Sequence, residues 1–219
     1  MENLRLDYLF CIFAVTVFSM VLHELAHGLV AYWQGDATAK EDGRLSLNPL
    51  RHIDPMMTVV VPLILAILGM PIFGGVKPVP VNKYRMKRGN LSMALVALAG
   101  PVTNIILAFL FFMIGHWTGV LTVSGGEYYL VNNFWGTLIW RGVIVNLGFA
   151  LFNLIPIPPL DGSRVLYVLM PDGVRDFMDT IERFGVMVVY VLIGIFGSAL
   201  SSYMITGENL ILSLFSLLT

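Results

Sequence analysis

The residues best placed to do chemistry sit in one apolar run, Val21-Leu22-His23-Glu24-Leu25-Ala26-His27-Gly28. On a helix, positions four apart share a face. His23 and His27 therefore project side by side, about one turn apart, and suit two corners of a tetrahedral zinc site. Glu24 lies too far round to ligate easily, yet close enough to take a proton from a water that the metal polarises. This is the layout of a zinc hydrolase, in which a carboxylate moves a proton from the attacking water to the leaving amine. The competing reading, polar residues in an ordinary core helix, is weak here. Three ionisable side chains in a membrane-length apolar segment cost several kcal/mol unless they are paired or bound to something.

A second constellation lies far downstream, Asn153-Leu154-Ile155-Pro156-Ile157-Pro158-Pro159-Leu160-Asp161-Gly162. Pro156, Pro158 and Pro159 forbid a continuing helix, so Asp161 is presented by irregular backbone. Such backbone is tolerated at membrane depth only where protein buries it or where it lines a wet cavity. Asp161 is accordingly the expected third ligand, with capping of the next helix, Ser163 to Met170, as the alternative role. Between the two lies Gly100-Pro101-Val102-Thr103-Asn104, where Gly100 and Pro101 permit close packing and a local break. Asn104 is a polar group at membrane depth, either interhelical glue or part of the site. His52 is a weaker candidate ligand, since a loop histidine is more often solvated.

The elements that must hold these residues are set by composition. The chain has 219 residues, 57% hydrophobic and only 12% charged, with mean hydropathy +0.81, whereas a soluble domain is about a quarter charged. This is an integral membrane protein, expected to form a single domain over 1–219 with no appended soluble module. The net charge of -1 says nothing about partners, and the basic residues do not form a nucleic-acid patch; the run Lys83, Arg85, Lys87 and Arg88 reads as a cytosolic topology anchor. Lone Cys11 excludes an intrachain disulfide and leaves the metal to His and carboxylate. The first apolar run lacks the basic start and small-residue cleavage site of a signal peptide.

Four runs are long enough to span: Asp7 to Trp33, Leu91 to Trp117, Phe134 to Ile155 and Phe184 to Ile205. Asp42-Gly43 is a hairpin signal between Asp36-Ala39 and Arg44-Leu47. Gly74 to Asn82, with Pro78 and Pro80 at alternate positions, reads as an edge strand. Thr118 to Asn133 reads as a Gly-rich loop, and Asn209 to Leu218 as a tail too short to cross. Met56 to Ile72 is short and holds Pro62. The fold class is thus an all-α membrane protein with about four spanning helices, a re-entrant segment and a short β-hairpin or edge strand. Re-entry follows from the metal site itself, because the helices before His27 and before Asp161 must finish on the same side. With Met56–Ile72 re-entrant, all of the 13 Lys and Arg except Arg5 and Arg141 fall on that side, which makes it cytosolic.

His23-Glu24-Leu25-Ala26-His27, Gly100-Pro101-Val102-Thr103-Asn104 and Asn153 to Gly162, in this order and a membrane span apart, resemble the site-2 protease family of intramembrane zinc metalloproteases. The motifs cover a catalytic core of about 20 to 165. The resemblance implies one zinc ion held by His23, His27 and Asp161, with Glu24 as general base. It implies peptide-bond hydrolysis within or near the transmembrane segments of other membrane proteins, in the regulated intramembrane proteolysis typical of the family. The chain is similar to the compact prokaryotic branch, without room for a PDZ or CBS module, which places it in a prokaryotic inner membrane with its active site nearer the cytosol. Asn104 and Asn153 are candidates to bind the substrate backbone or the developing oxyanion. The Gly74–Asn82 strand is a candidate to hold an unwound substrate by strand addition. The reading from another class is a catalytically idle metal-binding membrane protein or transporter subunit that sequesters a membrane partner. Intact Glu24 argues against it, since holding a metal does not require that base.

Overall fold

The structure is a computed structural model that describes residues 6–60, 64 and 77–219. Among these, helix α1 covers Leu6–Trp33, α2 Thr38–Glu41, α3 Asn90–Trp117, α4 Phe134–Asn153, α5 Asp161–Leu169, α6 Asp172–Glu182 and α7 Val186–Ser216. A hairpin of β1 (Leu121–Ser124) and β2 (Glu127–Leu130) joins α3 to α4. Helices α1, α3, α4 and α7 are long and apolar enough to cross a membrane. Their apolar residues run all the way round, as suits helices that face lipid as well as one another. By contrast α5 and α6 mix charged and apolar residues and are too short to span.

Side-chain pairings fix how the spans run. His27 meets Val96 and His23 meets Asn104, so α1 and α3 are antiparallel. Asn104 meets Asn146, and Gly115 packs on Ile139, so α3 and α4 are antiparallel in turn. Near the start of both α1 and α4, the Arg141 guanidinium stacks 4.5 Å over the Tyr8 ring, consistent with a cation held against an aromatic face. Hence α1 and α4 run in parallel and finish at the same end of the bundle, as a shared metal demands. Close approach of α3 and α4 uses glycine: a Cβ on Gly142 would come 2.4 Å from the Phe111 ring. Away from the site, Ala108, Phe112, Leu121, Val143, Leu147, Leu212 and Phe215 form the main apolar core.

Three details differ from expectation. The two-stranded sheet lies at 121–130 and not around Asp42-Gly43. Gly125 and Gly126 have φ of 61° and 83°, which suits a two-residue hairpin turn whose twist matches its strands. Around Asp42, the Asp36 carboxylate instead accepts the Thr38 N–H and hydroxyl, which starts the α2 turn, and Gly43 closes it with φ 63°. Residues 77–82 are not paired as a strand, because the N–H groups of Lys77, Val79 and Asn82 go to the His52 carbonyl, the Glu24 carboxylate and the Asp36 carboxylate. Finally, the apolar tail belongs to the last span: α7 bends at Phe196, between Gly194 and Gly197, and continues to Ser216. Of the expected re-entrant segment, Pro55–Val60 forms a short π-helix, while 61–63 and 65–72, like 74–76 of the expected strand, lie outside the described residues.

Candidate metal centre

Nε2 of His23 and Nε2 of His27 lie 3.3 and 3.4 Å from Oδ2 of Asp161. These donors sit among the group of ligand atoms within 4.8 Å of one another. The spacing is longer than the 2.7–2.9 Å of a charge-assisted hydrogen bond. It matches the separation, about 3.3–3.4 Å, of two ligands bound at about 2.0–2.1 Å and a tetrahedral angle to one zinc. Two further observations fit a cation. Asp161 Oδ2 is buried without a hydrogen-bond partner among the described residues. Both histidines also have Nδ1 engaged elsewhere, on the Asn104 side-chain oxygen at 2.5 Å and on the Val96 carbonyl at 2.8 Å, which leaves Nε2 for a metal.

Each of these three residues is seated by a local feature of the sequence. The helix geometry of α1 brings the two imidazole centroids within 4.6 Å, nearly perpendicular. Gly100 of α3 lies directly against them: a Cβ there would stand 2.5 Å from His23 Cε1 and Nε2 and from His27 Nε2. The proline run after α4 turns the chain back so that α5 starts at Asp161. Gly162 lets that start press against the end of α4, since a Cβ would fall 2.2 Å from the Leu154 carbonyl oxygen. The N-cap of α5 is Leu160, and Asp161 is a first-turn residue whose side chain faces the histidines.

Glu24 turns toward residues 77–82 and its Oε2 accepts the Val79 N–H at 2.9 Å, which leaves Oε1 for a proton. His23, Glu24, His27, Val79, Asn153 and Asp161 line one cleft of about 390 Å³, with Arg164 and Glu182 paired at its wall. Of the two candidate asparagines, Asn153 lines this cleft and donates to the Phe149 carbonyl at 3.0 Å. Asn104 does not line it: it is fully buried, bonded to His23 on one side and to Asn146 on the other. His52 takes no part. It is buried under the loop, with Nε2 bonded to the Ser46 carbonyl at 2.8 Å.

Two charged residues fix the segment that meets Glu24. The buried Arg44 guanidinium donates to the carbonyls of Arg51 and Lys77, the latter at 2.6 Å. Buried Asp36, just after α1, accepts from the Asn82 N–H and from Thr38. Burial pushes the Asp36 carboxyl up, but these N–H and hydroxyl donors and the Arg85 charge outweigh it and hold it below the ordinary 3.8. Neither residue, nor Val79, stood out in the sequence. A backbone N–H carries no residue signature, and Asp36 and Arg44 resemble ordinary loop charges. Asn146, seven residues before Asn153, was visible only as a second asparagine near one helix face.

A helical membrane protein with two histidines and an aspartate converging beside a glutamate in an open cleft has the architecture of a metallohydrolase. Comparison with known proteins gives the family: residues 10–196 match the model of Peptidase family M50, and the chain belongs to it, in agreement with the resemblance to site-2 proteases. Two relatives whose names both read "Putative zinc metalloprotease" are YwhC of Bacillus subtilis (strain 168) and Rip2 of Mycolicibacterium smegmatis. YwhC is 41% identical over 208 residues, 91% of this chain and 88% of its own. Rip2 is 29% identical over 184 residues, 80% of this chain and 63% of its own. A third relative, MJ0611 of Methanocaldococcus jannaschii, is 40% identical over 74 residues, 32% of this chain and 31% of its own. No solved structure matches.

Proposed function

We propose that the protein is a single-domain intramembrane endopeptidase that hydrolyses peptide bonds within or near the transmembrane segments of other membrane proteins. The observation that carries this reading is the 3.3 and 3.4 Å spacing of two imidazole nitrogens and one carboxylate oxygen beside Glu24, at the ends of apolar spans. In it His23, His27 and Asp161 hold one zinc, which supplies electrophilic activation of water and of the scissile carbonyl when bound. Glu24 Oε1 accepts the proton of the attacking water and returns it to the leaving amine, while the Val79 N–H steadies the other carboxylate oxygen. Asn153, inside the cleft, is the asparagine placed to meet the substrate backbone or the developing oxyanion, whereas Asn104 is buried behind His23. The excess of Lys and Arg on the loops at this end supports a cytosolic position for the site and an inner-membrane location in a prokaryote.

Co-expression of the parent and of Glu24→Gln with a panel of single-span proteins from the host tests the reading. Fragments should form with the parent and disappear with Glu24→Gln. Replacing Gly, Pro or Asn near a true cleavage point by Leu should slow it, because an unwound turn is needed before hydrolysis. Identical fragments from both proteins would leave only the idle metal-binding reading.

A further inference from the structure

His23, Asn104 and Asn146 belong to α1, α3 and α4, and form one buried line of hydrogen bonds that ends on the α4 backbone. The direction of that line is set from its far end. The Gly142 carbonyl can only accept, so the Asn146 amide must turn its NH2 toward it, at 2.7 Å. Its oxygen then faces Asn104, which donates its own NH2 across 2.8 Å. The Asn104 oxygen in turn faces His23 Nδ1 at 2.5 Å, so the ring hydrogen sits on Nδ1 and the lone pair on Nε2. Reversing any one amide would bring two like groups together, and both asparagines are 0% exposed, so no solvent is at hand to repair the mismatch. His27 needs no such line, because its Nδ1 meets a backbone carbonyl directly.

We infer that Asn146 is a positioning residue: acting through Asn104, it fixes the tautomer in which His23 presents Nε2 to the metal, although it stands one helix away from the site. The inference rests on the reading of His23 as a zinc ligand. Its consequence is that Asn104 serves the metal centre from behind, as an oriented acceptor, and does not contact substrate.

The test uses full-length protein in detergent, stripped of metal, with zinc affinity measured by chelator competition and the melting temperature of the metal-free form measured alongside. Asn146→Ala frees the Asn104 amide to turn and should weaken zinc binding about 10- to 100-fold, the usual effect of losing such a supporting partner. Asn104→Asp still accepts from His23 but has two oxygens and nothing to orient. Whatever the affinity of Asn104→Asp itself, in which an oxygen faces the Asn146 oxygen, adding Asn146→Ala in that background should cost no further affinity. An equal loss from Asn146→Ala in both backgrounds would reveal a merely structural role and overturn the inference, as would parent-like affinity in the single variant. If Asn146→Ala does not fold, Asn146→Ser is read in the same two backgrounds, with the same outcomes deciding. His23→Ala separates the two levels: parent-like zinc affinity there would remove the ligand reading itself and this inference with it.

Discussion

Gly100→Ala adds one methyl group where the structure has least room for it. The new carbon would stand 2.5 Å from His23 Nε2 and Cε1 and from His27 Nε2, against an ordinary separation of about 3.5 Å or more. Either the imidazoles or the α3 backbone must therefore retreat by about 1 Å, while metal–ligand distances tolerate about 0.2 Å. Overpacking of this kind costs about 1–3 kcal/mol. Without metal each ring is held by one Nδ1 hydrogen bond and can yield slightly about it, whereas bound zinc would also fix Nε2, so most of the strain falls on zinc binding and less on folding. At about 1.4 kcal/mol per factor of ten, zinc affinity should drop about 5- to 150-fold. Chelator competition measures the affinity, and thermal unfolding with and without a chelator separates the two costs. The expected result is a large loss of the zinc-dependent rise in melting temperature with a small change in the metal-free value. Parent-like affinity, or a fall confined to the metal-free melting temperature, would refute the placement of the metal against Gly100.

Two further predictions concern the surroundings of the site. The fold favours ionised Asp36, so its stabilisation is complete at neutral pH and is lost as pH falls below the ordinary 3.8 toward the lowered folded value; melting curves at successively lower pH should fall more steeply for the parent than for Asp36→Asn, and parallel curves would contradict this. The exposed positions Asp42 and Arg85, tied together through Glu41 and α2, should lie on the cytosolic side. Asp42→Cys and Arg85→Cys, each in a Cys11→Ser background, should resist an impermeant thiol reagent in intact cells and react after lysis, and labelling of either in intact cells would place the site elsewhere.

Much of the site is legible in the sequence because its signals are local or chemically rare. The His-Glu-x-x-His spacing fixes two side chains on one face through helix geometry alone, and the proline run before Asp161 announces irregular backbone. What the sequence hides is held by tertiary contact. Asn104 and Asn153 look alike as polar residues at membrane depth, yet one is sealed behind His23 and the other opens on the cleft, a difference set by helix rotation. The Asp42-Gly43 pair is an equally good signal for a hairpin and for the end of a helical turn, and the Asp36 side chain decides between them. The true hairpin was readable, as Gly125-Gly126 between the alternating runs Leu121–Ser124 and Glu127–Leu130. The last helix runs past the expected Ile205 because the break that Gly207, Glu208 and Asn209 suggest is overridden by the need to keep backbone groups paired within a span.

The zinc content of four purified variants against the parent tests the metal centre and the separate role of Glu24 most directly. The parent and Glu24→Gln should each hold one zinc per chain, while His23→Ala, His27→Ala and Asp161→Ala should each lose it. Full zinc occupancy in Asp161→Ala, or loss of zinc in Glu24→Gln, would contradict the assignment of three ligands and one proton carrier.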